Sequence, residues 1–256
     1  MAGPTYAPDF RALLRSGQPR VGTWVTFTDP GLAEAIAGSG VDFLAVDGEH
    51  GLVDVAALGP ILAATRAVGI PVLFRVAENE QARFQHALDA GASGVVVPRI
   101  RSATDAARAV DATRYPPVGT RGIAPRRVSD YGRSGAEYLR GANDLVTCCI
   151  QIETQEALMD LDAILGVTGV DAVLVGPNDL AGSLGHPGEL DHPQSVAAVA
   201  AVRERATARG IGVGIHVKSA AEARLRIAEG FDFVTVGTDY GHLVGAVDAM
   251  VAAVRA

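Results

Sequence analysis

Side chains able to do chemistry interrupt an apolar chain at a few places, each just after a short run of Val, Leu, Ile or Phe. They are Asp47-Gly48-Glu49-His50, Arg75, Gln151-Ile152-Glu153, Gly176-Pro177-Asn178-Asp179, and the pair His216 and Lys218. Glu153 and Asp179 are hard oxygen donors of the kind that Mg²⁺ or Mn²⁺ selects, and two of them leave room on one ion for water and substrate. Taken singly, either is equally a rim carboxylate that is solvated or paired with an arginine. His50 is the residue type that serves as a general base near neutral pH. Arg75 presents a planar fork of donors that suits a carboxylate or a developing oxyanion. Gly176-Pro177-Asn178 allows close backbone approach to an anionic substrate. His86, His186, His192 and His242 fall on expected helices or loops and are assigned no chemistry, and Trp24 and Phe27 read as residues of the first strand's core or mouth.

Such residues converge only if the runs before them lie side by side. Strands are expected over residues 22–27, 43–47, 72–75, 94–98, 145–152, 172–176, 212–216 and 233–237. Ala-rich segments of helical spacing alternate with them at 32–39, 55–68, 81–90, 103–113, 157–166, 195–209, 220–229 and 243–255, after a short helix near 10–15. Eight alternating units predict a single (β/α)₈ TIM barrel over residues 1–256 with an extra N-terminal helix, its active site at the C-terminal ends of the strands. A weak repeat supports this: Gly40-Val41-Asp42-Phe43, Gly169-Val170-Asp171-Ala172 and Gly230-Phe231-Asp232-Phe233 each lead from a helix end into a strand. The longest irregular stretch, 115–135, carries Arg126 and Arg127, which suggests an acceptor with an additional carboxylate.

The 256 residues are 48% apolar, enough for a large core without staples. A net charge of −7 with scattered arginines argues against nucleic acid as a partner. The two cysteines, Cys148 and Cys149, are adjacent and form neither a disulfide framework nor a spaced zinc motif, which fits a reducing cytoplasm. The N-terminal segment lacks the apolar stretch of a signal peptide, and no membrane span is expected. Lys218 is the only lysine, so any Schiff-base mechanism has to use it.

Together, Asp47-Gly48-Glu49-His50, Thr113-Arg114-Tyr115-Pro116-Pro117, Arg121-Gly122, Gln151-Ile152-Glu153-Thr154 and Gly176-Pro177-Asn178-Asp179-Leu180 resemble the HpcH/HpaI aldolases, in order and approximate spacing from about Gly22 to Gly237. The resemblance implies a class II pyruvate aldolase that depends on a divalent metal, Mg²⁺ or Mn²⁺ with Co²⁺ also accepted, and joins a 2-oxo acid to an aldehyde or cleaves the product. It implies Glu153 and Asp179 as metal ligands, His50 as base, Arg75 on the keto oxygen, and Asp89 as the carboxylate partner of the histidine. Gln151, Gly176 and Asn178 then line the pyruvate pocket, with Asp47, Glu49 and Arg121 in supporting places. A trimer or hexamer with an exchanged C-terminal helix is implied as well. The chain departs from the family's usual pattern at Asn178, Ala181 and the loop from Ile123 to Gly132, and where His216 and Lys218 stand related chains commonly carry apolar residues. Other functions to weigh are an oxaloacetate-using enzyme, such as a siderophore-type citrate synthase or a decarboxylating condensing enzyme, a Schiff-base aldolase through Lys218, and a non-catalytic barrel subunit.

Overall fold

Alternation of side chains along each strand decides what lies inside the sheet and what lies behind it. The computed structural model describes residues 8–256. Its strands are β1 (Arg20–Val25), β2 (Phe43–Asp47), β3 (Val72–Arg75), β4 (Gly94–Val97), β5 (Thr147–Ile152), β6 (Ala172–Val175), β7 (Gly212–Val217) and β8 (Phe233–Thr238). All pair in parallel in sequence order, and β1 closes on β8, so the sheet is a barrel without edges. The helices are α1 (Phe10–Arg15), α2 (Pro30–Ala37), α3 (Val55–Thr65), α4 (Gln81–Ala90), α5 (Ala103–Thr113), α6 (Gly135–Leu145), α7 (Gln155–Met159), α8 (Leu161–Leu165), α9 (Pro177–Ser183), α10 (Pro193–Thr207), α11 (Ala220–Ala228) and α12 (Asp239–Arg255). The expected (β/α)₈ barrel with its N-terminal helix is what forms.

One set of alternate residues, including Leu44, Val46, Phe74, Val95, Ile150, Val173, Ile215 and Val234, packs outward into the layer of helices. The other set fills the barrel: Phe43, Leu73, Val96, Cys149, Leu174 and Phe233, with Phe10 of α1 inserted among them. Phe10 is fully buried and meets Phe43 and Phe233 edge-on, at ring centroid distances of 4.9 and 5.4 Å. The N-terminal helix is therefore the plug of the lower mouth. Gly214 makes room for this filling, since a side chain there would overlap the Phe233 ring.

With the bottom closed by aromatic rings, the same inward register carries polar residues at the top: Asp47, Arg75, Gln151 and Thr235 follow two residues after the inward Ala45, Leu73, Cys149 and Phe233, and His216 two after Gly214. Side-chain caps start most of the returning helices, as when Asp54 accepts from the Ala57 amide and Ser219 from the Glu222 amide. The repeated glycines Gly40, Gly169 and Gly230 take φ values of +94°, +98° and +98°, the left-handed turn expected of them.

Three elements differ from the reading of the sequence. The segment expected as one helix at 157–166 is two short ones, α7 and α8, that meet at Asp160. The stretch 115–135 is not structureless, for it holds a 3₁₀ turn at Arg127–Ser129 and leads into α6, which had not been anticipated. Asp179 lies on a helix, α9, that Pro177 opens directly after β6.

Candidate active site

At the C-terminal ends of the strands lies a cleft of about 320 Å³ whose walls include Trp24, Asp47, His50, Arg75, Gln151, Gly176, Asp179 and His216. A second lobe of about 170 Å³ lies against Glu49, Arg99, Arg101 and Glu153, and His50 and Asp179 belong to both. The sequence places Asp47, Glu49, His50, Arg75, Gln151, Glu153, Gly176, Asn178, Asp179 and His216 at one rim, and the barrel brings them together there; Asp89, Arg121 and Lys218 line neither lobe, and Arg99 and Arg101 join the site without having been expected.

Asp47 and Arg75 form the rigid part. They are opposite one another in the β2–β3 register, and the Arg75 fork donates to the carboxylate twice, from Nε at 2.9 Å and from Nη2 at 2.7 Å. The same carboxylate accepts the amides of Glu49 and His50, which fixes the turn that carries His50. Burial opposes ionisation of Asp47, but the Arg75 hydrogen bonds and charge, with those two amides, outweigh it and hold the carboxyl below its usual range. Trp24 covers the Arg75 guanidinium at 4.4 Å from its ring centroid and donates its indole N–H to Thr235. Neither Asp47's double task nor Trp24's place over Arg75 is legible without the register of neighbouring strands.

Acid groups crowd the other side. Glu153 Oε1 accepts the Arg99 amide at 2.7 Å, and Oε2 is met by the Gln151 side-chain amide. Arg99 stands at φ +56°, a left-handed conformation uncommon outside glycine, and this turn aims its N–H at Glu153. Burial, and then the charges of Glu49 and Asp179, raise the Glu153 carboxyl despite that amide. Burial likewise raises Glu49 against the attraction of Arg75, His50 and Arg99. Glu49 Oε2 and Gln151 Oε1 are buried without a hydrogen bond. Glu153, buried and pushed toward its neutral form, and the exposed Asp179 border the second lobe together, and their oxygens are of the hard kind that a divalent cation takes, whereas Glu49 is engaged by Arg75 at 3.4 Å and Arg99 at 3.2 Å. Gly176 keeps the space open, because a Cβ there would come within 2.9 Å of both Gln151 Nε2 and Glu153 Oε2.

Four expectations need correction. Asp89 does not partner His50 within the protomer. It lies near the C-terminus of α4, at the end of the barrel away from the strand C-termini, and accepts from Arg121 at 2.6 Å. The carboxylate beside His50 is Glu49, at 3.8 Å. Arg121 is fully buried against Tyr115 and Tyr138 and does not reach the cleft, so it anchors the long loop rather than a substrate. Arg126 and Arg127 are also absent from both lobes, Arg127 being spent on the carbonyls of Gly59, Leu62 and Ala90. The cations beside the acids are instead Arg99 and Arg101. Lys218 is exposed and lines neither lobe, which removes the support for a Schiff base.

A residue that sequence reasoning passed over is Asp239 at the start of α12. Its buried carboxylate accepts the amides of Thr26 and Phe27 and the Thr26 hydroxyl at 2.7–2.9 Å, and so ties the loop after β1 to the last strand. The last helix is expected only from Leu243, and the partners of Asp239, Thr26 and Phe27, lie 213 and 212 residues away in the sequence.

The barrel, the Asp47–Arg75 lock and the acid cluster coincide with a match of residues 20–246 to the HpcH/HpaI aldolase/citrate lyase model. The chain belongs to that family. A hydroxypyruvate/pyruvate aldolase of Rhizorhabdus wittichii is 38% identical over 96% of this chain and 98% of its own length. A 5-keto-4-deoxy-D-glucarate aldolase of Shigella dysenteriae is 34% identical over 94% of each chain. Among solved structures, a HpcH/HpaI family protein from Burkholderia cenocepacia superposes with a TM-score of 0.92 at 35% identity, over 96% of this chain and 98% of that one.

Proposed function

We propose that the protein is a metal-dependent aldolase that forms or cleaves the bond between the third carbon of pyruvate, or of hydroxypyruvate, and an aldehyde. The observation that carries this reading is the single rim on which a guanidinium, Arg75, locked by Asp47, stands with the buried Glu153, whose charge is opposed by burial, and with Asp179. The near full-length likeness to two aldolases with 2-oxo acid chemistry in their names supports it.

Glu153 and Asp179 would hold the cation, for which Mg²⁺ or Mn²⁺ suits the all-oxygen set and Co²⁺ would substitute. When bound, such an ion supplies Lewis acidity that polarises a 2-oxo acid and acidifies the C–H next to its carbonyl. The residues of the chain do the rest. Arg75, held rigid by Asp47 and covered by Trp24, donates to the keto oxygen as negative charge grows there, without reorganising. Gln151, Gly176 and Asn178 wall the donor's pocket. His50 stands at the junction of the two lobes, with 60% of its side chain exposed, where it can take a proton from the donor carbon or the product hydroxyl and return it. Arg99 and Arg101 offer charge to an acceptor that bears a carboxylate. The exposed apolar side chains Leu243, Val244, Val247 and Met250 of α12 support a homo-oligomer, and an Asp89–His50 pair would then have to be made between copies. A cytoplasmic, one-domain protein acting on small molecules fits the two free, buried cysteines and the lack of any membrane-length apolar helix among the described residues.

The test is pyruvate release from a panel of 4-hydroxy-2-oxo acids and from oxaloacetate, with Mg²⁺ or Mn²⁺ and again after EDTA. Metal-dependent cleavage of the hydroxy acids is expected, with a fall of about 10²–10⁴ in kcat for His50→Asn. Turnover of oxaloacetate alone would favour a condensing enzyme, and no turnover of any substrate would reject the reading.

A further inference from the structure

His216, at the end of β7, lines the wider lobe, yet aldol chemistry leaves it without a task. Its Nδ1 lies 3.1 Å from the main-chain oxygen of Thr235 and 3.2 Å from that residue's hydroxyl. A carbonyl oxygen has no proton to give, so Nδ1 carries the hydrogen and Nε2 carries the lone pair. Nothing among the described residues hydrogen-bonds Nε2. Burial, with the charge of Arg75 nearby, lowers the pKa of the ring and keeps it neutral, although the Thr235 contact pulls the other way. Trp24 holds the ring in place edge-on, at 6.4 Å between centroids, while its own N–H is used by Thr235.

The wider lobe therefore contains a fixed, neutral acceptor beside the fixed donors of Arg75. A carboxylate or ketone of a substrate would set lone pair against lone pair at this point, and a methyl group would leave a half-buried nitrogen unsatisfied. A hydroxyl group satisfies it. We propose that Nε2 of His216 is a hydroxyl-binding subsite, which accepts a hydrogen bond either from the hydroxyl on the third carbon of a hydroxypyruvate-type donor or from the hydroxyl beside the carbonyl of the aldehyde. The inference rests on the aldolase reading of the cleft, and it makes His216 a specificity residue rather than a catalytic one.

The experiment compares kcat/KM of the metal-supplied enzyme in two arms. The donor arm sets hydroxypyruvate against pyruvate with propanal as acceptor, and the acceptor arm sets glycolaldehyde against propanal with pyruvate as donor. In each arm His216→Leu, which cannot accept, and His216→Gln, which can, are measured beside the wild type, so that intrinsic differences in reactivity cancel in the ratio. The preference for the hydroxylated substrate is expected to fall about tenfold in His216→Leu in one arm, and that arm identifies the hydroxyl, with most of the preference kept in His216→Gln. Ratios that change less than about twofold in both arms would overturn the inference. Should the leucine variant not fold, the wild type decides alone, through the O-methyl ethers of hydroxypyruvate and glycolaldehyde, which cannot donate. Their use as readily as the free hydroxyl compounds would overturn the subsite, and discrimination against one of them supports it. Aldolase activity with pyruvate and propanal but no hydroxyl effect leaves the aldolase reading standing and removes only the subsite, whereas a wild type inactive on every pair removes both.

Discussion

Replacing Glu153 with glutamine is expected to stabilise the metal-free protein and to abolish its stabilisation by metal. Glu153 is 4% exposed, and its charge is opposed by burial and by Glu49 and Asp179. Glutamine removes that charge and can keep the acceptor for the Arg99 amide. Its new N–H₂ would oppose that of Gln151, but Gln151 Oε1 has no partner, so a turn of that amide offers the new donor an acceptor. Relief of an uncompensated buried charge contributes about 0.5–2 kcal/mol, and at about 2–4 °C per kcal/mol for a chain of this size Tm in EDTA should rise by about 1–8 °C. At a hundredfold excess over Kd, metal should stabilise the wild type by about 2.7 kcal/mol and the variant hardly at all, so the order of the two proteins reverses when metal is added. The sign with pH follows from the raised folded-state pKa. Folding then binds the proton more tightly than the unfolded chain does, so the wild type carries no penalty below the ordinary 4.5 and accumulates one as pH rises through the raised value. The advantage of Glu153→Gln in EDTA must therefore grow from acid to neutral pH. Thermal unfolding followed by circular dichroism, in EDTA and in a Mg²⁺ titration, measures all three effects. A variant that melts below the wild type in EDTA, or that keeps the metal-induced shift, would refute the reasoning.

Asp47→Asn breaks a buried bidentate pair, which costs about 3–5 kcal/mol when a charge is stranded. Glu49 also reaches Arg75, at 3.4 Å, which reduces the expected loss to about 2–4 kcal/mol. Because the Asp47 carboxyl is held below its ordinary 3.8, this stability is complete above that pH and fades as pH falls through the lowered value, which urea unfolding across an acid series checks. Gly176→Ala places a methyl group against Gln151 and Glu153 and should weaken metal binding about 10–100-fold by calorimetry, with little change in the far-UV spectrum. Phe10→Ala empties the plug of the lower mouth and should cost about 3–5 kcal/mol in unfolding, while folded molecules keep their kcat/KM because the cleft is at the opposite end.

Much of this molecule is legible in the order of its residues. Five elements, β2, β3, α1, α4 and α5, run over the residues expected of them, because a short apolar run before a polar residue and a stretch of helical spacing declare themselves over a few residues. Helix α6 was missed because its Gly-Ala-Glu start follows a Gly- and Arg-rich loop, and its packing partners, Tyr115 and Val128, lie in that loop. Helix α9 was given no range of its own because its seven residues begin with Pro177, which reads equally as the start of a turn. The rim residues were legible as a set, since a barrel has only one end where strand C-termini gather.

What local sequence determined by itself is the periodicity that makes a strand or a helix, the count that closes eight units into a barrel, and the residue types standing at each strand's end. Those properties depend on neighbours a few positions apart, and the polypeptide carries them wherever it lies. Partnership across the barrel was decided only by tertiary structure. That Asp47 locks Arg75, that Arg99 offers its amide to Glu153, that Asp239 holds the loop after β1, and that Asp89 turns to Arg121 and away from His50 all follow from strand register and from which end of the barrel a helix terminus reaches. A carboxylate's burial and charge neighbours set its protonation, and those exist only once segments tens to hundreds of residues apart have been brought within a few ångströms.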